Sequence, residues 1–247
     1  MFRAPPLPAA RCCLFLDIDG TLLDIAPTPN QVVVDPALRE LLSHLDHSCQ
    51  GAVAFVSGRS LEDIDNLFEP LCLAAAGIHG FERRDAQGHC LRPSIDPGEL
   101  ETLRLRLGSA LRPLDGVIIE DKHFGLALHF RLAPQLEQPL RDILTRLAPL
   151  IPPRFEQLDG DHVIEIKPRS HNKATAIEAF MQEAPFSGRQ PVFIGDDLTD
   201  RDGFTAVRRH DGLAIGVGPD TDTEWQLENP IAVRGWLESF LLRDHVT

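Results

Sequence analysis

Several features that mark common protein classes are scarce in this chain of 247 residues. Basic residues are the minority: 24 Lys and Arg stand against 37 Asp and Glu, a formal charge of −13. That balance disfavours nucleic acid and anionic membrane as main partners. It leaves room for a small anionic ligand, because a local group of cations can oppose the overall sign. The five cysteines are odd in number and form no C-x-x-C. This excludes a disulfide framework or a zinc site and points to a reducing, cytoplasmic compartment. No sustained apolar stretch follows the N-terminus, and Cys13-Leu14-Phe15-Leu16 is too short for a signal peptide or a membrane span. Ala4-Pro5-Pro6-Leu7-Pro8-Ala9-Ala10 reads as a frayed arm. There is no internal repeat or low-complexity tract. The acidic surface and the lack of a long apolar helix face make a monomer the expectation.

What is present is organised around Leu14-Phe15-Leu16-Asp17-Ile18-Asp19-Gly20-Thr21-Leu22. An apolar run fit for a buried strand ends in two carboxylates. Residues i and i+2 of an extended segment point the same way, so Asp17 and Asp19 can face one small volume. Two like charges that close call for a metal ion, a shared proton or a nearby cation. The C-terminal edge of a parallel sheet is also where α/β folds place their chemistry.

The flanking pattern supports such a sheet. Ile25 to Pro29 must be loop because of its prolines. Asp35-Pro36 starts a helix carrying Leu38, Leu41, Leu42 and Leu45. Ala52–Val56 is a second buried strand, followed by a helix with Leu61, Ile64, Leu67 and Phe68 on one face, and Leu71–Ala76 is a third strand. The alternation implies parallel strands with right-handed crossovers. After a hairpin over 82–91 the pattern changes. A helix over 97–110, strands over 116–121 and 124–131, a helix over 136–150 and a hairpin turning at Asp159-Gly160 form an α+β module. After Pro168 the alternation returns, with a helix over 172–182, a strand over 191–194, a helix entering at Thr199, a strand over 212–217 and a closing helix over 231–242. The domains are therefore a core of residues 1–92 and 168–247 and an inserted module of residues 93–167.

The second acidic strand end, Gly195-Asp196-Asp197-Leu198-Thr199-Asp200, mirrors the first. If the two strands are neighbours, Asp17, Asp19 and Asp196 converge as hard oxygen ligands suited to Mg²⁺, with Asp197 or Asp200 supporting the metal or its waters. Ser57 ends the second strand in the same relation to the sheet and can hold a phosphoryl oxygen. Two lysines compete for the cation the site needs, Lys167 before a proline and Lys173 at a helix start; position favours Lys173. Together these parts describe phosphomonoester hydrolysis. Asp17 attacks the phosphoryl group, Asp19 protonates the leaving oxygen and then activates water, and Mg²⁺, Lys173 and Ser57 screen the charge.

Asp17-Ile18-Asp19-Gly20-Thr21, Ser57, Lys173 and Gly195-Asp196-Asp197, in this order, resemble the four motifs of the haloacid dehalogenase superfamily of phosphatases. Further segments resemble its trehalose-6-phosphate phosphatase family: 56–60 (VSGRS), 76–84 (AGIHGFERR), 120–122 (EDK), 127–131 (ALHFR), 163–168 (VIEIKP) and 195–200 (GDDLTD). The first motif alone specifies only the superfamily, and the inserted segments select the substrate. One departure is Ala174 after Lys173, where the family often has Gly. The resemblance implies a Rossmann-like core with a parallel sheet and an inserted type C cap that closes as a lid, Mg²⁺ as cofactor, and hydrolysis of trehalose 6-phosphate, the final step of trehalose biosynthesis. It also implies sugar contacts from Glu120, Lys122 and Glu165, with His129, Arg59, His79 and Gly80 as further candidates. Phosphatases of sucrose phosphate or mannosylglycerate phosphate are the nearest rivals in the same chemistry. A receiver-like phosphoacceptor domain would not carry the Asp at i+2, and a degenerate sugar-phosphate-binding regulator would not keep every catalytic residue.

Overall fold

The computed structural model describes residues 2–8, 11–26, 31–93, 96–122, 124–219 and 221–244. The expected loop at Pro27-Thr28-Pro29 and the arm residues Ala9-Ala10 lie outside them. The chain divides into two units, Met1–Arg92 with His171–Thr247, and Pro93–Ser170.

The first unit is built on strand β1 (Cys12–Leu16), whose five residues are all buried. Helix α1 (Pro36–Ser48), strand β2 (Val53–Val56), helix α2 (Leu61–Phe68) and strands β3 (Ala74–Gly77), β4 (Glu82–Arg84) and β5 (Cys90–Leu91) follow it. After the insertion come α5 (Lys173–Met181), β10 (Gln190–Gly195), α6 (Arg201–Arg209), β11 (Leu213–Val217), β12 (Trp225–Leu227) and α7 (Pro230–Asp244). The sheet order is β12-β11-β10-β1-β2-β3-β4-β5. Strands β12 through β3 pair in parallel, while β4 and β5 close the edge antiparallel. The chain leaves β1 toward β2 on one side and returns to β10 on the other, so the topological switch point lies at the carboxyl end of β1. The helices form where their patterns require. Asp35 caps α1 by accepting from the Leu38 N–H, and Leu38, Leu41, Leu42 and Leu45 line its buried face. Phe15 of β1 stacks on Phe186 at 5.4 Å and meets Phe180 at 5.8 Å, which places aromatic packing directly beneath the acidic edge.

The second unit contains α3 (Glu101–Ala110), β6 (Ile118–Asp121), β7 (Leu126–His129), α4 (Glu137–Leu147), β8 (Phe155–Gly160) and β9 (Val163–Pro168). Its antiparallel sheet runs β6-β7-β9-β8. Period-two alternation sends Leu126, Leu128, Ile164 and Ile166 into one cluster with Leu103 and Leu107 of α3 and Leu140, Ile143 and Leu144 of α4. The opposite face of the sheet is charged.

Three features differ from expectation. The β8–β9 hairpin turns at Asp161-His162, because Asp159 and Gly160 still pair with Ile164 and Val163, and His162 takes the left-handed conformation at φ 56°. The N-terminal arm is docked within the described residues. The Gln226 N–H donates to the Arg3 carbonyl at 2.9 Å and the Trp236 indole to the Pro5 carbonyl at 3.3 Å. Proline has no N–H to lose on burial, and a buried indole needs an acceptor, so the two satisfy each other. Strand β12 is three residues long, too short to show a period.

Candidate active site

Parallel pairing of β1 with β10 and β2 brings three strand ends to one edge. Leu16 sits opposite Ile194 and Phe55, so Asp17 follows β1 where Asp196 follows β10 and Ser57 follows β2. The Asp17 N–H continues the ladder to the Ile194 carbonyl at 3.0 Å. Gly20 makes the turn after Asp19 possible. Its φ is +79°, and a Cβ there would lie 2.0 Å from the Asp196 Oδ2, so a side chain would displace the acid.

One carboxylate oxygen from each of Asp17, Asp196 and Asp200 lies within 4.8 Å of the others. Lys173, the first residue of α5, inserts its ammonium among them, 2.9 Å from Asp17 Oδ1 and 2.5 Å from Asp200 Oδ1. A capping box between Asn172 and Thr175 fixes the start of α5 and hence the lysine's origin. Asp200 also accepts the Asp196 and Asp197 N–H groups on Oδ2, both at 2.9 Å. Both its oxygens are therefore held by protein donors. The Thr21 hydroxyl donates to Asp196 Oδ1 at 2.9 Å. Asp197 turns its own carboxylate to the Leu198 N–H as the cap of the following turn.

The electrostatics follow from burial. Burial pushes the Asp17 carboxyl well above the usual carboxylate range, with Asp200 and Asp196 adding to the shift and Lys173 opposing it. Burial, then Asp200, carries Asp196 up to about 7. Burial acts against the charge on Lys173, but Asp17 and Asp200 outweigh it and its pKa is raised. Among the described residues of this cluster, one ammonium faces two buried acids and the half-buried Asp196, which leaves a shortage of positive charge. The donor set is all hard oxygen, compact and largely buried, and it fits a small divalent cation such as Mg²⁺.

Asp19 lies outside this cluster. Arg59 Nε donates to its Oδ2 and Arg59 Nη2 to its Oδ1, both at 2.6 Å. A bidentate guanidinium competes better for a carboxylate than a pocket already rich in negative charge. The side chains brought together are thus those of Asp17, Asp196 and Asp200, while the Asp19 carboxylate and Arg59 engage each other. Ser57 is buried, and its hydroxyl accepts the Arg59 N–H at 3.2 Å. His79 is buried in a left-handed turn at φ 54°, and its N–H donates to the Ser57 carbonyl at 3.0 Å. Gly80, at φ +99°, passes so close to the Asn172 carbonyl that a Cβ would lie 2.8 Å from it. His79 and Gly80 therefore tie the Ser57 loop to the start of α5. Of the two competing lysines, Lys173 is in this cluster, whereas Lys167 in the second unit pairs with Glu156 at 2.8 Å.

The remaining candidates occupy the charged face of the second unit's sheet. Lys122 Nζ donates to Glu165 Oε1 at 2.6 Å, with both side chains about nine-tenths buried. His129 Nε2 lies 2.6 Å from Glu120 Oε2. Burial favours a neutral Glu120, but the His129 hydrogen bond and the Lys122 charge outweigh it and hold the carboxyl below its ordinary value. Sequence reasoning missed the Thr21–Asp196 bond and the Arg59–Asp19 pair. Thr21 stood in the motif, but nothing local showed which acid it would reach.

The sequence profile of the trehalose-phosphatase family matches residues 15–234. The chain is 40% identical over 234 residues to the trehalose-6-phosphate phosphatase of Escherichia coli strain K12, covering 94% of this chain and 88% of that protein. It is 42% identical over 206 residues to a probable trehalose-phosphate phosphatase of Sinorhizobium fredii, covering 83% and 77%. The C-terminal domain of Candida albicans trehalose-6-phosphate phosphatase shares the fold, with a TM-score of 0.83 over 98% of both chains at 20% identity. Every motif residue discussed above lies within the matched span, and the chain belongs to the trehalose-phosphatase family.

Proposed function

We propose that this protein hydrolyses trehalose 6-phosphate to trehalose and phosphate, using Mg²⁺ and an aspartyl-phosphate formed on Asp17. The observation that carries the reading is Lys173 set among Asp17, Asp196 and Asp200 at the switch point of the sheet. Asp17 and Asp196 are assigned as the direct metal ligands and Asp200 as their support, since both Asp200 oxygens already accept from Lys173 and two backbone N–H groups. The metal, when bound, supplies Lewis-acid screening of the phosphoryl oxygens.

The chain's own groups supply the rest. Lys173 neutralises Asp17 enough for an anionic nucleophile to approach an anionic phosphate, and it then balances charge on the transferring group. The Asp17 carboxylate displaces the sugar oxygen, and the new acyl phosphate is cleaved by water. Asp19 is assigned as the acid that protonates the leaving oxygen and the base that activates the water, with Arg59 holding it between steps. Ser57, fixed by the Arg59 N–H and the His79 turn, is assigned to a phosphoryl oxygen. Glu120, Lys122 and Glu165 are assigned to the sugar hydroxyls, with His129 orienting Glu120. A cytoplasmic location belongs to the same proposal and rests on the cysteine usage. No helix among the described residues is long and apolar enough to cross a membrane.

The test is Asp17→Asn, which keeps shape but removes the nucleophile. Phosphate release from trehalose 6-phosphate is lost while the thermal midpoint is kept. Full turnover by a phosphatase-free preparation of the variant would overturn the assignment.

A further inference from the structure

The pairing register of the second unit's sheet places Glu120 of β6, Ala127 of β7 and Glu165 of β9 in one row across the strands. The row beside it holds Lys122 and Gly125, joined by the Lys122 N–H to Gly125 carbonyl bond at 3.0 Å. Leu126, Leu128 and Phe130 point into the apolar cluster with the helices. Alternation therefore turns Gly125, Ala127 and His129 to the charged face. The central strand puts only a hydrogen and a methyl where its neighbours put Glu120, Lys122 and Glu165. The face is thus hollowed along β7, with long polar side chains as walls.

In this state the walls meet. Lys122 and Glu165 stand on the two sides of β7, so their 2.6 Å bond crosses over that strand, and Ala127 beneath it is fully covered. The ion pair is well desolvated. Parting it is costly unless the incoming group both accepts from the ammonium and donates to the carboxylate. Adjacent hydroxyls of a pyranose do both, whereas a plain apolar or aryl group does neither.

Resting on the sugar-phosphate reading above, we infer that Ala127 sets the depth of the sugar pocket, and that the Lys122–Glu165 pair fills in the free protein the space a pyranose ring takes. Ala127 is a specificity-determining residue because a branched or long aliphatic side chain does not fit beneath either the pair or the ring. Gly125 has a separate constraint, since a Cβ there would lie 2.8 Å from the Ile166 carbonyl. That makes Ala127 the position at which depth can be changed without disturbing the backbone.

The experiment compares Ala127→Ser and Ala127→Leu with the unaltered protein on trehalose 6-phosphate and on p-nitrophenyl phosphate, which offers no hydroxyls to this face. Ala127→Leu raises KM for trehalose 6-phosphate about tenfold or more, as expected for overfilling a packed site. The thermal midpoint falls, because Ala127 is fully covered in the free protein. Turnover of the aryl phosphate by the folded variant falls far less than the sugar-phosphate KM rises, and Ala127→Ser, the smallest enlargement, changes that KM least. If Ala127→Leu does not fold, Ala127→Val carries the same comparison with a KM increase of about threefold or more. A folded variant with unchanged KM for the sugar phosphate overturns the inference, as does an equal loss on both substrates. A different failure, in which the unaltered protein itself does not prefer trehalose 6-phosphate to the aryl ester, overturns the substrate reading on which the inference stands.

Discussion

Arg59 grips Asp19 through two parallel hydrogen bonds of 2.6 Å, Nε to Oδ2 and Nη2 to Oδ1. The pair joins the first strand-end motif to the second. It orients the assigned acid and base and keeps it apart from the three-acid cluster. Replacing Arg59 by Ala removes both bonds, and Lys restores the charge without the fork. Both variants lower kcat on a generic aryl phosphate by roughly 10- to 100-fold, the equivalent of losing a charge-assisted contact. Steady-state kinetics on that substrate check this. Unchanged aryl turnover would confine Arg59 to sugar binding.

Metal and pH act together at the acidic cluster. An unfolded carboxyl ionises at about pH 4, whereas burial carries Asp196 up to about 7 and raises Asp17 as well. Between those limits the folded state holds more protons than the unfolded state, so stability falls as pH rises. A bound divalent cation favours the ionised acids and offsets the loss. Thermal unfolding in EDTA therefore shows a midpoint that drops between about pH 5 and about pH 8, and Mg²⁺ raises it more at the higher pH. An equal Mg²⁺ effect at both would contradict the assignment of the cluster as the metal site.

Away from the site, Asp35 offers a separate check on the fold. It caps α1 and also accepts from Arg234 of α7, whose Nε holds the Leu22 carbonyl at 3.0 Å in the first-motif loop. The Leu38 N–H first, then Arg234, hold the Asp35 carboxyl below its ordinary value. Its stabilisation is thus present above the unfolded pKa and is lost as pH falls through the folded one. Asp35→Ala costs about 1 kcal/mol at neutral pH, as for a lost N-cap, and Asp35→Asn costs less. Denaturant titrations at neutral pH and at about pH 3 check this, and the gap between Asp35→Ala and the unaltered chain narrows in acid.

The parts legible in the sequence are those set by local chemistry. The buried runs of β1, β2 and β10 announce themselves because both faces of a covered sheet are apolar, and Asp35-Pro36 and Asn172 mark helix starts by capping preference. The convergence of Asp17, Asp196 and Lys173 follows once the strands are taken as neighbours, since strand ends in one sheet share an edge. What was not legible depends on distant partners. The pairing of Asp19 with Arg59 joins residues 40 positions apart. The docking of the arm on Trp236 joins residues 231 apart, and no local pattern encodes it. The hairpin turn at Asp161-His162 rather than Asp159-Gly160 reflects pairing with β9, which overrides the turn preference of Asp-Gly.

The most direct test of the central claim is phosphate release with Mg²⁺ from four esters: trehalose 6-phosphate, sucrose 6-phosphate, glucose 6-phosphate and an aryl phosphate. The account predicts a strong preference for trehalose 6-phosphate that EDTA abolishes. Turnover of a different sugar phosphate in preference would keep the Asp17 chemistry but contradict the assigned substrate. No turnover of any of the four would contradict the enzyme reading altogether.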